Sequence, residues 1–481
     1  MKVLFTHSYF LQFDPKQVQH AQPYPPLGTI LAAAVLREKG YTVELFDTMF
    51  AKSPYELIPV LDNFNPDLLV IYDDGFNYLT KMCLSNMRDA AFKMQALAKE
   101  KKCKVIVTGS DASDHYEKYL NHGADIVIHG EAELVLLALV ESIKNKQDYS
   151  KLNGLIFFTE GQLIKTAKRP VSKTLDEFPL PAWDLIKIEP YKKTWINHHG
   201  YFSMNVATTR GCPYKCNWCA KPIYGNQYNM RSPANVVKEI KLLKELFGVE
   251  HIWFCDDIFG LKRSWVSEFK NELLSQKISI KYKIQSRADL LVQEKYVEDL
   301  ALSGCVEVWM GAESGSQKIL DAMDKGTTVA EILKARALLK QHHIKACFFL
   351  QYGYPGETAE DITSTINLVE QSMPDDIGIS VSYPLPGTVF YERVKSSLKE
   401  KTNWTDSDEL ALMFNNTYPK DYYKILHRYT HALYRKNKAK VLLKEKNKLP
   451  VKLKAGLSYF KNKTNEIRLY LKLQQLSKPV A

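Results

Sequence analysis

The sequence predicts an α/β protein: a doubly wound parallel sheet, then a partial (β/α)6 barrel, then a basic helical C-terminal region. Three observations predict it. Across the first 145 residues, apolar runs of four to six residues alternate with amphipathic stretches, as a parallel sheet covered on both faces requires. The alternation resumes near residue 200 and repeats six times, short of the eight units of a closed barrel. From Lys420 to the end, 17 Lys and Arg stand against 3 Asp and Glu, so the formal charge of +11 belongs to the tail. At 481 residues and 45% hydrophobic, the chain is too long for one ordinary core and is expected to hold two or three domains. No apolar run is long enough to predict a transmembrane helix, and "MKVLFTHSYF" carries no cleavage signature, so no signal peptide is expected.

Taken in order, "KVLFT" reads as a strand. "GTILAAAVLREKG" reads as a helix closed by Gly40. "YTVELFD", "NPDLLVIY", "KVIVTG" and "ADIVIHG" follow as strands with helices between them, and ligands of such sheets bind at the strands' carboxyl ends. "LNGLIFFTEGQLIKT" reads as a hairpin turning at Glu160-Gly161, and the Pro-rich "LDEFPLPAWDLI" as a linker. "FSMNVATT", "HIWFCDD", "IKYKIQSRADLL", "VEVWMGAESG", "IKACFFLQYGYPGE" and "IGISVSYPLPG" are the six barrel strands. The expected divisions are residues 1–148, a hairpin and linker at 149–195, the barrel at 196–400 and the basic region at 401–481.

Five of eight cysteines (Cys83, Cys103, Cys255, Cys305 and Cys347) stand apart in apolar surroundings and are expected to be buried thiols. The other three, Cys212, Cys216 and Cys219, crowd into "RGCPYKCNWC" between a strand and a helix, which suggests a metal before a disulfide. Zinc wants a fourth ligand, for which His198 or His199 is available. An iron–sulfur cluster fits three local thiolates better. A cubane of four irons held by three thiolates keeps one iron open to a small molecule.

With these residues in hand, "CPYKCNWC" resembles the cluster motif of the radical S-adenosylmethionine (radical SAM) superfamily, and the six βα units resemble its partial barrel. The resemblance implies a 4Fe-4S cluster on Cys212, Cys216 and Cys219, with S-adenosylmethionine bound at the open iron and Trp218 beside its adenine. It also implies reductive cleavage to a 5'-deoxyadenosyl radical. By the same resemblance, Asp256 and Asp257 in "FCDDIF" stand where relatives contact the methionine amine, although many relatives carry a Gly-Gly-Glu run there. Ser286 and Arg287 in "QSRADLL" end the third strand, where Arg287 could pair with a carboxylate. Glu313 in "GAESGS" is a candidate for the ribose or methionine end. Gly353 and Gly356 in "GYPGET" would allow close backbone approach. The bland alternatives are helix caps, a structural ion pair and a tight turn.

The first domain is similar to the Rossmann-like cobalamin-binding domain of cobalamin-dependent radical SAM enzymes. The similarity rests on "PYPPLGTILAAAVLREKGYTVELFD" and "GADIVIHGEAE" and covers most of residues 1–400. It implies cobalamin as a further cofactor, with its nucleotide tail near Gly109, Ser110 and Ser113 of "VTGSDASDH". No Asp-x-His-x-x-Gly run follows the first strand, so no His is expected on cobalt. Asp73, Asp74 and Asn77 of "YDDGFNY" are the candidates for the lower face. The implied reaction is methylation of an unactivated carbon of a lipid or secondary metabolite. The alternatives are cobalamin-assisted cyclisation or rearrangement and a non-catalytic cobalamin or redox sensor. A reductase with flavodoxin, or ferredoxin, is the implied electron donor. The tail interleaves Lys and Arg with Leu, Val, Tyr and Phe at helical spacing, which suits a solvated cap or an anionic membrane surface. No RNA-binding module is legible, so nucleic acid is not an expected partner. The expected location is cytoplasmic, at most peripheral to the inner membrane face.

Overall fold

The computed structural model describes residues 1–398, 401–445 and 449–477. The expected boundary at residue 400, tail residues 446–448 and the last four residues lie outside that range. The chain forms two compact units. The first comprises Met1–Tyr214, Ala220–Ile284 and Asn403–Glu409, and the second comprises Lys215–Cys219, Gln285–Thr402 and Leu410–Ala481.

In the first unit, strands β1 (Lys2–Thr6), β2 (Thr42–Phe46), β3 (Leu68–Tyr72), β4 (Lys104–Thr108) and β5 (Ile126–Ile128) are parallel. The hairpin β6 (Leu155–Thr159) and β7 (Gln162–Lys165) extends the sheet antiparallel. The order is β2-β1-β3-β4-β5-β6-β7, with its switch point between β1 and β3. Alternation along each strand serves two cores. Leu4, Leu69, Ile71, Val105 and Val107 meet one set of helices, while Val3, Phe5, Leu68, Val70 and Ile106 meet the other. That two-sided burial is why "LLVIY" is apolar throughout. Helix Leu27–Glu38 ends as expected, with Gly40 at φ +78° donating its N–H to the Arg37 carbonyl.

The same unit holds β8 (Ser203–Val206), the short antiparallel pair β9 (Thr209–Arg210) and β10 (Asn229–Met230), then β11 (His251–Phe254) and the first residues of β12 (Lys281–Ser286). β11 pairs parallel with both β8 and β12. Helix Pro233–Phe247 starts where Ser232 accepts the Asn235 N–H and stops at left-handed Gly248. The Pro-rich linker is clamped: Trp183 is buried, and its Nε1 donates to Glu239 at 3.1 Å.

In the second unit, β13 (Cys305–Glu313), β14 (Lys345–Tyr352) and β15 (Asp376–Val381) run parallel, with an irregularity between Gly311 and Glu313. Reciprocal capping boxes, Thr328 with Glu331 and Thr358 with Asp361, start the helices that follow β13 and β14. Helices Lys420–Lys444 and Leu449–Leu476 pack against each other. The five isolated cysteines are buried thiols, and burial pushes Cys103 up to about 12.

Candidate functional site

At the strand ends of the first sheet, buried carboxylates are already engaged. Asp73 accepts the Ser8 N–H at 2.7 Å and the Ser8 hydroxyl at 2.9 Å. Asp74 accepts the Gly28 and Phe76 N–H groups at 3.2 and 2.8 Å. Burial pushes both carboxyls up to about 6 against those bonds. Asn77 accepts the Leu79 N–H at 3.0 Å, capping the short helix Tyr78–Lys81, and borders a cavity of about 70 Å³ beside Tyr24, Met49, Trp253 and Lys283. Gly109 has φ +138°, and a Cβ there would lie 2.7 Å from Asp73 Cβ, so only glycine fits this turn. Ser113 donates back to the Gly109 carbonyl at 2.8 Å. Ser110 Oγ differs: it is buried with no hydrogen-bond partner.

The approach to the cysteines is held by charge. Arg210 is buried and pairs with Glu131 and, at 2.9 Å, with Glu133, both buried at the end of β5. The Phe178 ring lies 4.5 Å from its guanidinium. One cation therefore serves two carboxylates, and burial followed by the charge of Glu133 raises the Glu131 carboxyl. Gly211, at φ +81°, could not carry a Cβ without overlapping the Gln227 carbonyl oxygen. Asp256 accepts the Thr208 and Thr209 N–H groups at 2.7 and 2.8 Å and the Thr208 hydroxyl at 2.6 Å. It thus fixes the chain just ahead of the loop, and burial pushes its carboxyl up to about 6. Asp257 is partly exposed and pairs with Lys81 at 2.6 Å. Cys212 is buried in this unit.

In the second unit, Asn217 anchors the segment Lys215–Cys219. Its N–H donates to the Met323 carbonyl at 3.1 Å, and its side-chain amide donates to the Ala322 carbonyl at 2.7 Å and to Asp324 at 2.8 Å. Its side-chain oxygen accepts the Tyr354 hydroxyl at 2.9 Å. Arg287 reaches the Lys325 carbonyl at 2.9 Å, Asp289 at 2.9 Å and Cys216 Sγ at 4.0 Å. Glu313, in left-handed backbone at φ +58°, forms a buried pair with Lys325 at 2.7 Å, and the Lys325 ammonium stands 6.0 Å from the Trp218 ring. Trp218 Nε1 and Ser286 Oγ are buried without hydrogen-bond partners. Cys216, Trp218, Ser286, Arg287 and Glu313 therefore come from the loop and two strand ends of one unit.

The two glycines differ. Gly353, at φ +76°, faces Tyr423 and Leu412 and donates its N–H to Glu357 at 2.7 Å, whereas Gly356, at φ +83°, opens onto space. Glu357 is fully buried, its Oε1 has no partner, and burial pushes its carboxyl up to about 8.

All eight cysteines are thiols, and among the described residues no three His, Cys, Asp or Glu are already gathered to hold a metal ion. His198 and His199, the zinc candidates, each engage backbone carbonyls: Thr194 for the first, His20 and Ala21 for the second. The donor set, three thiols in one strand-following loop, fits an iron–sulfur cluster. The unpartnered Trp218, Ser286 and Ser110 atoms fit polar ligands beside it and at the first sheet. Arg210, Glu131, Glu133, Asn217 and Lys325 were not singled out from the sequence. Only the Arg next to the cysteine run and the Asn inside it offered a signal.

Residues 206–369 match the model of the Radical SAM superfamily. Over 79% of its length the chain is 26% identical to an uncharacterized methyltransferase of Pyrococcus horikoshii, covering 81% of that protein. It is 25% identical to the anaerobic magnesium-protoporphyrin IX monomethyl ester cyclase of Rubrivivax gelatinosus, over 82% of this chain and 70% of that one. Its fold is that of two solved cobalamin-dependent or cobalamin-bound radical SAM proteins. One is the methyltransferase TsrM of Kitasatospora setae, at TM-score 0.68 and 17% identity over 82% of this chain and 78% of that one, solved with cobalamin and a 4Fe-4S cluster. The other is the cobalamin-dependent radical enzyme OxsB, at TM-score 0.73 and 17% identity over 98% and 72%.

Proposed function

We propose that this chain is a cobalamin-dependent radical SAM enzyme that methylates an unactivated carbon of a small molecule or lipid. The observation that carries the reading is the strand-following loop with Cys212, Cys216 and Cys219 inside the stretch that matches the Radical SAM superfamily. When bound, the 4Fe-4S cluster supplies the electron that cleaves S-adenosylmethionine, and cobalamin supplies a methyl carrier.

This chain's residues do the holding and orienting. The three thiolates hold the cluster. Asn217 fixes the segment bearing Cys216 and Cys219, and Asp256 fixes the turn before Cys212. Arg287, beside Cys216, places positive charge next to an anionic site and is suited to the methionine carboxylate. Trp218 Nε1 and Ser286 Oγ offer open hydrogen-bonding atoms for the adenosine. Glu313, neutralised by Lys325, serves the ribose, with Gly356 giving backbone access. Asp257 would take the methionine amine in exchange for Lys81. Ser110, with Gly109 and Ser113, would hold the cobalamin tail, and Asp73, Asp74 and Asn77 would be the residues nearest the cobalt side of that site.

Cyclisation is the second reading, supported by the cyclase relative. A flavodoxin or ferredoxin serves as electron donor. The protein works in the cytoplasm, and its C-terminal helices are the part that would meet a membrane face. The test is anaerobic reconstitution with iron, sulfide and cobalamin, followed by S-adenosylmethionine and reductant. Methyl transfer predicts both 5'-deoxyadenosine and S-adenosylhomocysteine by mass spectrometry. Deoxyadenosine alone would favour cyclisation, and neither product would refute the reading.

A further inference from the structure

Exposed large apolar side chains are concentrated on one helix. Eight of the eighteen found among the described residues lie on Leu449–Leu476. Advancing about 100° per residue, Leu449, Leu453, Leu457, Phe460, Ile467 and Leu471 fall within an arc of about 80°. Ala455, Asn462, Leu469 and Leu473, the buried residues of this helix, fall on the opposite side. The helix therefore packs one face on Lys420–Lys444 and turns an apolar stripe, broken once by Thr464, to solvent, with Leu457 76% and Phe460 70% exposed. At about 1.5 Å per residue the stripe runs roughly 33 Å.

Cations border it on both sides. Lys452 and Lys463 flank one edge, and Lys454, Lys461, Arg468 and Lys472 the other. The helix's one acid, Glu466, is paired with Lys436 at 2.7 Å. No helix among the described residues is long and apolar enough to cross a membrane. A stripe between two rows of cations suits a helix lying in the plane of an anionic interface, with apolar residues among the acyl chains and ammonium groups at the phosphates. A second copy of the helix would set six cations against six across an apolar contact, and a nucleic acid would leave the stripe without apolar cover.

We propose that Leu449–Leu476 docks this protein on an anionic phospholipid surface through the Leu453–Leu457–Phe460 stripe. The test uses full-length protein sedimented with phosphatidylglycerol/phosphatidylcholine vesicles and with pure phosphatidylcholine vesicles. Binding should be about tenfold or more stronger to the anionic vesicles and should weaken with added salt. The variant Leu453→Asn/Leu457→Asn/Phe460→Asn should lose about tenfold in binding while keeping its circular dichroism, because these side chains face solvent. Lys454→Gln/Lys461→Gln/Lys463→Gln should lose the preference for anionic lipid. Equal binding to both vesicles, or stripe variants that bind as the parent does, would overturn the proposal. So would a dimer that the stripe variant dissolves in a protein that ignores vesicles.

Discussion

Replacing Arg210 with Met removes the one cation between two buried carboxylates. Side chains of Arg210, Glu131 and Glu133 are 4, 3 and 1% exposed, so water cannot take over the lost partner. Removing one member of a buried pair costs roughly 3–5 kcal/mol, because an uncompensated charge remains. The penalty depends on pH with a definite sign. Glu131 already titrates above its ordinary value, through burial and then the neighbouring Glu133. A carboxyl raised in the folded state favours folding while it is protonated and loses that stability as pH rises through its folded value. Without Arg210 the Glu131 carboxyl should rise further, so the variant's deficit should be small near pH 5 and full near pH 8. Urea unfolding midpoints at the two pH values read this directly. Glu131→Gln/Glu133→Gln in the Arg210→Met background should recover much of the loss at pH 8. A deficit that is absent, or equal at both pH values, would refute the reasoning.

Other outcomes follow from single sites. Glu357→Gln should stabilise the protein at neutral and alkaline pH. Its carboxyl sits at about 8, so the parent loses stability as pH rises from about 4.5 to about 8, by at most roughly 3 kcal/mol at pH 7. Nearby Asp361 pushes the same way and Lys318 opposes it. Thermal melts from pH 5 to 8 that stay parallel for the two proteins would contradict this. Ser110→Ala should weaken cobalamin binding about fivefold, for one lost hydrogen bond, and Ser110→Val more, by absorbance titration. Unchanged affinity for both would remove Ser110 from that site.

The fold was legible wherever burial imposes a period. "LLVIY" is apolar because helices cover both faces of β3, and Glu160-Gly161 turns the hairpin through two left-handed residues. The cysteine loop was legible because its spacing is local. Long-range polar partners were not. Arg210 meets acids nearly eighty positions earlier, and no periodicity encodes that meeting. For Asp256, the sequence shows an acid at a strand end. It does not show that both oxygens are taken by Thr208 and Thr209. Gly353 read as a place for close ligand approach, yet its near neighbours are Tyr423 and Leu412.

The most direct test is iron. Protein reconstituted anaerobically should hold about four irons per chain, with one iron distinguishable in its Mössbauer spectrum when S-adenosylmethionine is added. Cys212→Ala, Cys216→Ala and Cys219→Ala should each lose that cluster. A parent that binds zinc in preference to iron, or a Cys variant that keeps the full cluster spectrum, would contradict the account.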